Sequence, residues 1–507
     1  MSTSGFVLPV SLALRLLTSA APAPQSPAAA PNPPQVPRVP ATAPVKTPVT
    51  PAPGSSKGLS AAQQATAGRL VGPALTEGHA YARLAELTDG VGPRLSGSEN
   101  AEAAVQWALR SFQADGVKAW KEPVKVPHWV RGEEHGEILS SERTRGLPLS
   151  LLALGGSAPT PPEGLTAEVV EVGSLEELAA LGDKAKGKIV FFNHTMSEAV
   201  DYGRFAGMRS RGPAAAAKQG AVAALVRSLA TASLRTPHTG ATRFDDGGPR
   251  LPAAAVSVED ALTLHRMLQG GTVKVRLVLG CSDLPEADSS NVVAEIRGRE
   301  KPDEVVLLGA HLDSWDVGTG AHDDGAGVVM VMEAARLIAK LPQAPRRTVR
   351  VVLFMNEENG LRGGRAYAQA HAKELPRHVA ALEMDSGGGR PLGVSLHAGP
   401  GGEDLLRPWL APLEGLGAAT FLVGHATGAD LSPMEPAHVP FVGLRVDSSR
   451  YFDVHHSMAD TLDKVDPQDL SRSTAAVTWM AYALAEAPGV LARPTAPESD
   501  GPPPLKK

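Results

Sequence analysis

Five short segments in the second half of the chain group His, Asp and Glu in ways that could hold a metal ion or move a proton. His311-Leu312-Asp313 places an imidazole and a carboxylate two residues apart, which on a strand puts both on one face. A glycine-rich turn, Gly318 to Gly327, carries the paired acids Asp323 and Asp324 with His322 before them. Asn356-Glu357-Glu358-Asn359-Gly360 follows an apolar run, Asp385 stands before Ser386-Gly387-Gly388-Gly389, and Asp453 to Thr461 contains His455 and His456. Each has an ordinary explanation alone. An isolated His-x-Asp is usually an incidental polar pair, Asp324 before Gly325 is a good helix N-cap, and adjacent glutamates suit a solvated loop. Capping uses one of the two aspartates, however, and neighbouring glutamates after a buried strand must point apart, so that one can bind metal while the other faces water. Together they supply the nitrogen and oxygen ligands that zinc takes in an open catalytic site without thiolate. Two metals sharing one carboxylate would use five such ligands.

These residues need rigid elements to hold them, and the sequence offers strands in the right places. Val292 to Ile296, Glu304 to Ala310, Thr348 to Met355, Val379 to Met384 and Phe441 to Val446 are compact apolar runs. Helical patterns over Gly325 to Lys340 and Gly364 to Ala372 separate them, which predicts an α/β fold with a largely parallel sheet flanked by helices. In such sheets ligands bind beyond the carboxyl ends of strands, where these clusters fall. Earlier, Ala61 to Thr88 and Ala101 to Asp115 read as helices and Val124 to Pro127 opens a strand-rich stretch. From Leu165 to about Leu279 short strands (Ala167 to Val172, Lys188 to Asn193, Ala221 to Val226) alternate with helical Leu175 to Leu181 and Pro213 to Gln219, the texture of a small separate domain.

The ends have a different composition. Residues Phe6 to Leu17 are mostly apolar and precede an A-x-A pattern at Ala21 to Ala23, as in a secretory signal, which predicts a secreted or periplasmic protein. Twelve of the 33 residues from Ala21 to Pro53 are proline, too few apolar groups to offset ordering entropy. The expected organisation is therefore 1–57 signal-like segment and linker, 58–164 and 281–490 the two parts of the main domain, 165–280 an insertion, and 491–507 a disordered tail. No later run is long enough to span a bilayer. A formal charge of -5 and pI near 6.3 argue against nucleic acid as a partner. The single cysteine, Cys281, excludes an intramolecular disulfide and a thiolate zinc site; it reads as a small core residue or an unpaired surface thiol.

His311-Leu312-Asp313-Ser314-Trp315-Asp316-Val317-Gly318, Asp323-Asp324-Gly325, Asn356 to Gly360 and His455-His456-Ser457 with Asp460-Thr461 resemble the carboxypeptidase Q (plasma glutamate carboxypeptidase) family, within the co-catalytic di-zinc aminopeptidases and carboxypeptidases. Gly92 to Ser98 and Val126 to Gly132 resemble that family's amino-terminal motifs, so the likeness covers nearly all of 58–490. The resemblance implies a zinc-peptidase, phosphorylase-like α/β fold in which 165–280 is a protease-associated domain placed as a lid. It implies two zinc ions per subunit, with Asp323 bridging, His311 and Asp385 on one metal, and Glu358 and His456 on the other. Glu357 would be the general base acting on a metal-bridging water, and Asp313 would orient the His311 imidazole. His455 could stabilise the oxyanion or contact substrate, and it remains an alternative ligand; Asp316 and His322 flank the site. The implied activity is hydrolysis of short unblocked peptides, dipeptides above all, by a homodimer to which Trp315 or the loop Gly399 to Glu403 could contribute. The competing readings are a broader aminopeptidase, a glutaminyl-cyclase-type acyltransferase, and a binding protein that has lost its chemistry; the presence of Glu357 and all five ligands speaks against the last.

Overall fold

The computed structural model describes residues 58–139, 146–232, 234–422 and 428–495. The signal-like segment and Pro/Ala linker lie outside them, as does the tail beyond 495.

A seven-stranded sheet forms the main domain, in the order Lys118–Val130, Ser282–Ile296, Arg347–Phe354, Lys301–His311, His378–Glu383, Phe441–Val446, Pro391–His397. The four strands from Arg347–Phe354 to Phe441–Val446 in that order run parallel, with antiparallel partners at both edges. Their near-continuous apolar sequence follows from burial on both faces: Val349, Val351 and Leu353 enter one core cluster, and Val352 and Phe354 the other. The first cluster lies under helices Ala326–Ala339 and Pro467–Glu486, the former buried almost throughout. The second is closed by Tyr367 of helix Arg362–Ala370 with Leu431 and Met434. The α/β expectation therefore holds, and all four parallel strands end at one rim.

A second, eight-stranded sheet runs Leu147–Pro148, Glu134–Leu139, Lys274–Leu279, Leu165–Val172, Ile189–Phe192, Ala223–Arg227, Ala253–Val256, Leu151–Ala153. Three of its strands precede residue 165, so the insertion expected at 165–280 does not make this sheet alone; Glu134–Leu139 is needed to pair the otherwise open edge of Lys274–Leu279. Helix Tyr202–Lys218 begins eleven residues before the expected Pro213. The expected single helix from Ala61 to Thr88 breaks at Gly78, whose φ of 63° is left-handed, into Ala61–Thr76 and His79–Ala85. The expected disordered tail at 491–507 starts too early: Leu491 is buried, and the Arg493 guanidinium donates to the carbonyls of Ala437 at 2.7 Å and Pro376 at 2.6 Å. Trp315 is buried in the core of the second sheet, against the face of Gly155, and so is not offered to a second subunit. Cys281 lies in the same core with its thiol on the Ser157 carbonyl. Among the described residues no helix is long and apolar enough to cross a membrane.

Candidate metal centre

The rim of the parallel sheet gathers the clusters. His311 is the last residue of its strand, Glu357 and Glu358 follow Arg347–Phe354, Asp385 follows His378–Glu383, and His455 and His456 lie beyond Phe441–Val446. Asp323 sits in the middle and divides its carboxylate: Oδ1 is 3.1 Å from His311 Nε2, and Oδ2 is 3.2 Å from His456 Nε2. Asp385 Oδ1 lies 3.7 Å from His311 Nε2, and Glu358 Oε2 3.0 Å from His456 Nε2. The sequence-predicted ligands thus fall into two groups that meet on one aspartate.

His455 is brought in as well. Its Nε2 is 3.5 Å from Asp323 Oδ2 and its ring stacks on His456 with centroids 3.6 Å apart. What separates the two imidazoles is the far nitrogen. His456 Nδ1 faces the Thr239 carbonyl at 3.3 Å, whereas His455 Nδ1 is buried without a partner. A metal-ligating histidine normally donates its other N–H to a carbonyl or carboxylate, which favours His456 as the ligand.

Electrostatics tell the same story. Burial alone would raise the Asp323 carboxyl, but the adjacent His311 and His456 imidazoles hold it well below the ordinary range. Burial raises Glu358 to about 7, with Asp323 adding to the rise, and Glu357 rises well above its usual value through burial, with Asp385 and Glu358 contributing. Asp323 Oδ2 and Glu358 Oε1 are buried acceptors with no hydrogen-bond donor. Clustered carboxylates and imidazole nitrogens, gathered as Asp323 with His311 and Asp385 and as Asp323 with His455 and His456, the ligand atoms of each triad within 4.8 Å of one another, with unsatisfied lone pairs, fit divalent metal far better than they fit a closed ion-pair network. The donor set contains no thiolate, as zinc allows.

One predicted role changes. The Asp313 carboxylate does not orient His311: the imidazole Nδ1 lies 3.0 Å from the Asp313 main-chain oxygen and 3.9 Å from its carboxylate. The strand end turns the carboxylate the other way, where Oδ1 accepts the N–H groups of Asn356 at 2.8 Å and Glu357 at 3.1 Å. Asp313 therefore positions the segment carrying Glu357. His322 is a brace, its Nδ1 accepting the Gly388 N–H and its Nε2 meeting the Lys464 carbonyl. Asp316 is held in a two-bond pair by Arg131. Asp324 accepts the N–H of Gly327, as an N-cap does, and that of His311.

Sequence reasoning missed several supports. Asp460 accepts the N–H groups of His322 and Asp323 on its two oxygens. Arg94, fully buried, donates to the carbonyls of Leu312, Thr319 and Gly320 and so pins the turn that presents Asp323. Its appearance in the Gly-Pro-Arg motif was the available signal. The site opens into a cavity of ≈ 390 Å³ walled on one side by Asp323, Glu357, Glu358 and Asp385, with Tyr451 and His455, and on the other by Tyr202, Arg209 and Arg243.

The fold and this site define a zinc-dependent metallopeptidase. The description Peptidase family M28 matches residues 291–481. Human carboxypeptidase Q is 39% identical over 419 residues, covering 82% of this chain and 87% of its own length, and the chain belongs to the carboxypeptidase Q family. The crystal structure of a peptidase M28 precursor from Shewanella amazonensis superposes with a TM-score of 0.82 at 40% identity, over 86% of this chain and 99% of that one. A zinc aminopeptidase from Bacillus subtilis shares the fold, with a TM-score of 0.59 at 20% identity over 80% of this chain and 94% of that one. The protein is thus a zinc metallo-exopeptidase.

Proposed function

We propose that the chain is a di-zinc peptidase that hydrolyses short unblocked peptides, dipeptides first among them. The observation that supports this most is the division of Asp323 between two ligand groups at the wall of a small, partly roofed cavity. In this reading His311 and Asp385 hold one zinc, Glu358 and His456 the other, and Asp323 both. When bound, the zincs polarise the scissile carbonyl and make a water easier to deprotonate. Glu357 takes the proton from the attacking water and returns it to the leaving amine. Asp313 keeps Glu357 in place through the loop amides. The cavity of ≈ 390 Å³, lined also by Tyr202, Arg209 and Arg243, is of a size that suits a short peptide. Export and pairing into a homodimer belong to the same reading, supported by the signal-like first residues and the family resemblance.

The test is a panel of free dipeptides, amino-blocked dipeptides and longer peptides, assayed with chelator, after zinc restoration, and with Glu357→Gln. Hydrolysis concentrated on free dipeptides, abolished by chelator and restored by zinc, is the expected result. Equal turnover of long peptides would favour a broad aminopeptidase.

A further inference from the structure

His311 and His456 are the two imidazoles assigned to metal, and they are held by different parts of the chain. His311 is oriented from within the main sheet, by the carbonyl of Asp313 two residues on. His456 is oriented entirely from the side of the second sheet. Thr239 accepts at its carbonyl from His456 Nδ1 at 3.3 Å and donates its own N–H to the His456 carbonyl at 2.9 Å, a two-bond clasp. The Thr239 hydroxyl donates to the Ala153 carbonyl at 2.7 Å, which ties the clasp to the strand Leu151–Ala153.

Arg209, on helix Tyr202–Lys218, completes the arrangement. Its Nη1 donates to the same Thr239 carbonyl at 3.2 Å and lies 3.3 Å from His456 Nδ1, while Nη2 donates to the Tyr202 hydroxyl at 2.8 Å. A guanidinium only donates, so the acceptor for the Nδ1 proton is the carbonyl. With zinc on Nε2 the ring proton must sit on Nδ1, where the Thr239 carbonyl, itself held by Arg209 Nη1, is the acceptor within reach. The close approach of Arg209 depends on Gly240, where φ is +141° and an added Cβ would lie 2.3 Å from the Arg209 Cζ. Arg209, Thr239 and His456 are all buried.

We propose that Arg209 and Thr239 are positioning residues of the metal centre, Thr239 accepting the Nδ1 proton of His456 and Arg209 holding the Thr239 carbonyl in place, so that the second sheet builds one of the two zinc positions as well as roofing the cavity. This rests on the assignment of His456 as a ligand. It makes the two positions unequal: the His311 position is secured within the main sheet, and the His456 position depends on the docking of the second.

The test is zinc release from the full-length protein to a graded competing chelator, measured for the wild type, Arg209→Met and Gly240→Ala, with circular dichroism of each zinc-free protein as the check on folding. In both variants one zinc equivalent should leave at roughly 10–100-fold lower chelator strength while the other leaves as in the wild type, and Arg209→Lys should recover part of the loss. Wild-type release from folded Arg209→Met and Gly240→Ala would overturn the proposal, as would equal weakening of both equivalents. If Arg209→Met does not fold, Gly240→Ala and Arg209→Lys decide by the same criterion. A wild-type protein that takes up no zinc would instead overturn the ligand assignment beneath it.

Discussion

His311 and Asp313 are joined through the backbone: the imidazole Nδ1 lies 3.0 Å from the Asp313 carbonyl oxygen, while the Asp313 carboxylate, 3.9 Å away, receives the amides of Asn356 and Glu357. One residue thus holds the His311 imidazole with its main chain and the Glu357 segment with its side chain. The two jobs are separable, because a substitution at 313 leaves the carbonyl in place. Asp313→Ala should retain zinc with little change in affinity and lose roughly 10–100-fold in kcat, as Glu357 drifts. Zinc titration beside steady-state kinetics reads both. Loss of zinc with unchanged kcat per bound zinc would restore the carboxylate as the orienter of His311.

Glu357 and Glu358 are neighbours with different surroundings. Glu358 Oε2 meets His456 Nε2 at 3.0 Å, whereas Glu357 lines the cavity and, among the described residues, accepts no side-chain hydrogen bond. Glu357→Gln should therefore keep its zinc and its KM and lose roughly 10²–10⁴-fold in kcat. Glu358→Gln should lower zinc content first. Equal metal loss in both variants would contradict the division of roles.

Much of this site was legible because the chain presents it in order. Four apolar strands ended in His311, Glu357-Glu358, Asp385 and the His455-His456 segment, and a sheet with parallel strands brings such ends to one rim. What was not legible came from partners distant in sequence or from short elements. Leu147–Pro148 and Leu151–Ala153 are two and three residues long, too short for any periodicity, so the sequence alone places the start of the second sheet at 165. The first turns of Tyr202–Lys218, with Gly203 and Gly207, show little helical signal. Arg94 stood in a recognised motif, but an arginine is normally exposed, and only the fold reveals three carbonyls converging on it. The choice of carbonyl over carboxylate at Asp313 is a matter of side-chain direction that spacing does not encode.

His378 makes a pH prediction away from the metal centre. It is fully buried, with Nδ1 3.1 Å from the Glu374 carbonyl and Nε2 2.9 Å from the Tyr367 hydroxyl. The neutral ring donates to the first and accepts from the second. Burial lowers its pKa from 6.5 to about 4, with the nearby Arg350 charge opposing protonation further. The folded pKa is depressed, so the contribution to stability is complete above the unfolded value near 6.5 and is lost as pH falls toward 4. By pH 5 the loss is roughly 2 kcal/mol, at about 1.4 kcal/mol per unit. Urea unfolding of wild type and His378→Asn at pH 7.5 and 5 isolates it: the variant starts less stable and falls less steeply. Parallel pH slopes would sink the assignment.

Arg94 ties the amino-terminal part of the chain to the turn that carries Asp323. Its Nε donates to the Leu312 carbonyl and its Nη1 to that of Thr319, both at 2.6 Å, and its Nη2 to that of Gly320 at 3.0 Å. Burial pushes the guanidinium pKa down, while Asp460, Asp313 and Asp324 favour the charge, so the cation sits inside a ring of acids and offsets part of their repulsion. Arg94→Met keeps the volume, removes the charge and leaves buried carbonyls without donors at about 1–3 kcal/mol each. Its unfolding free energy should fall by roughly 3 kcal/mol or more, and zinc should be held less tightly because the turn presenting Asp323 loosens. Arg94→Lys should recover only part, since an ammonium cannot span the three carbonyls as a planar fork does. If Arg94→Met unfolds at the wild-type denaturant concentration and keeps its zinc, the turn is held by Asp460 and the glycine-rich backbone instead, and Arg94 is only a filler of the core.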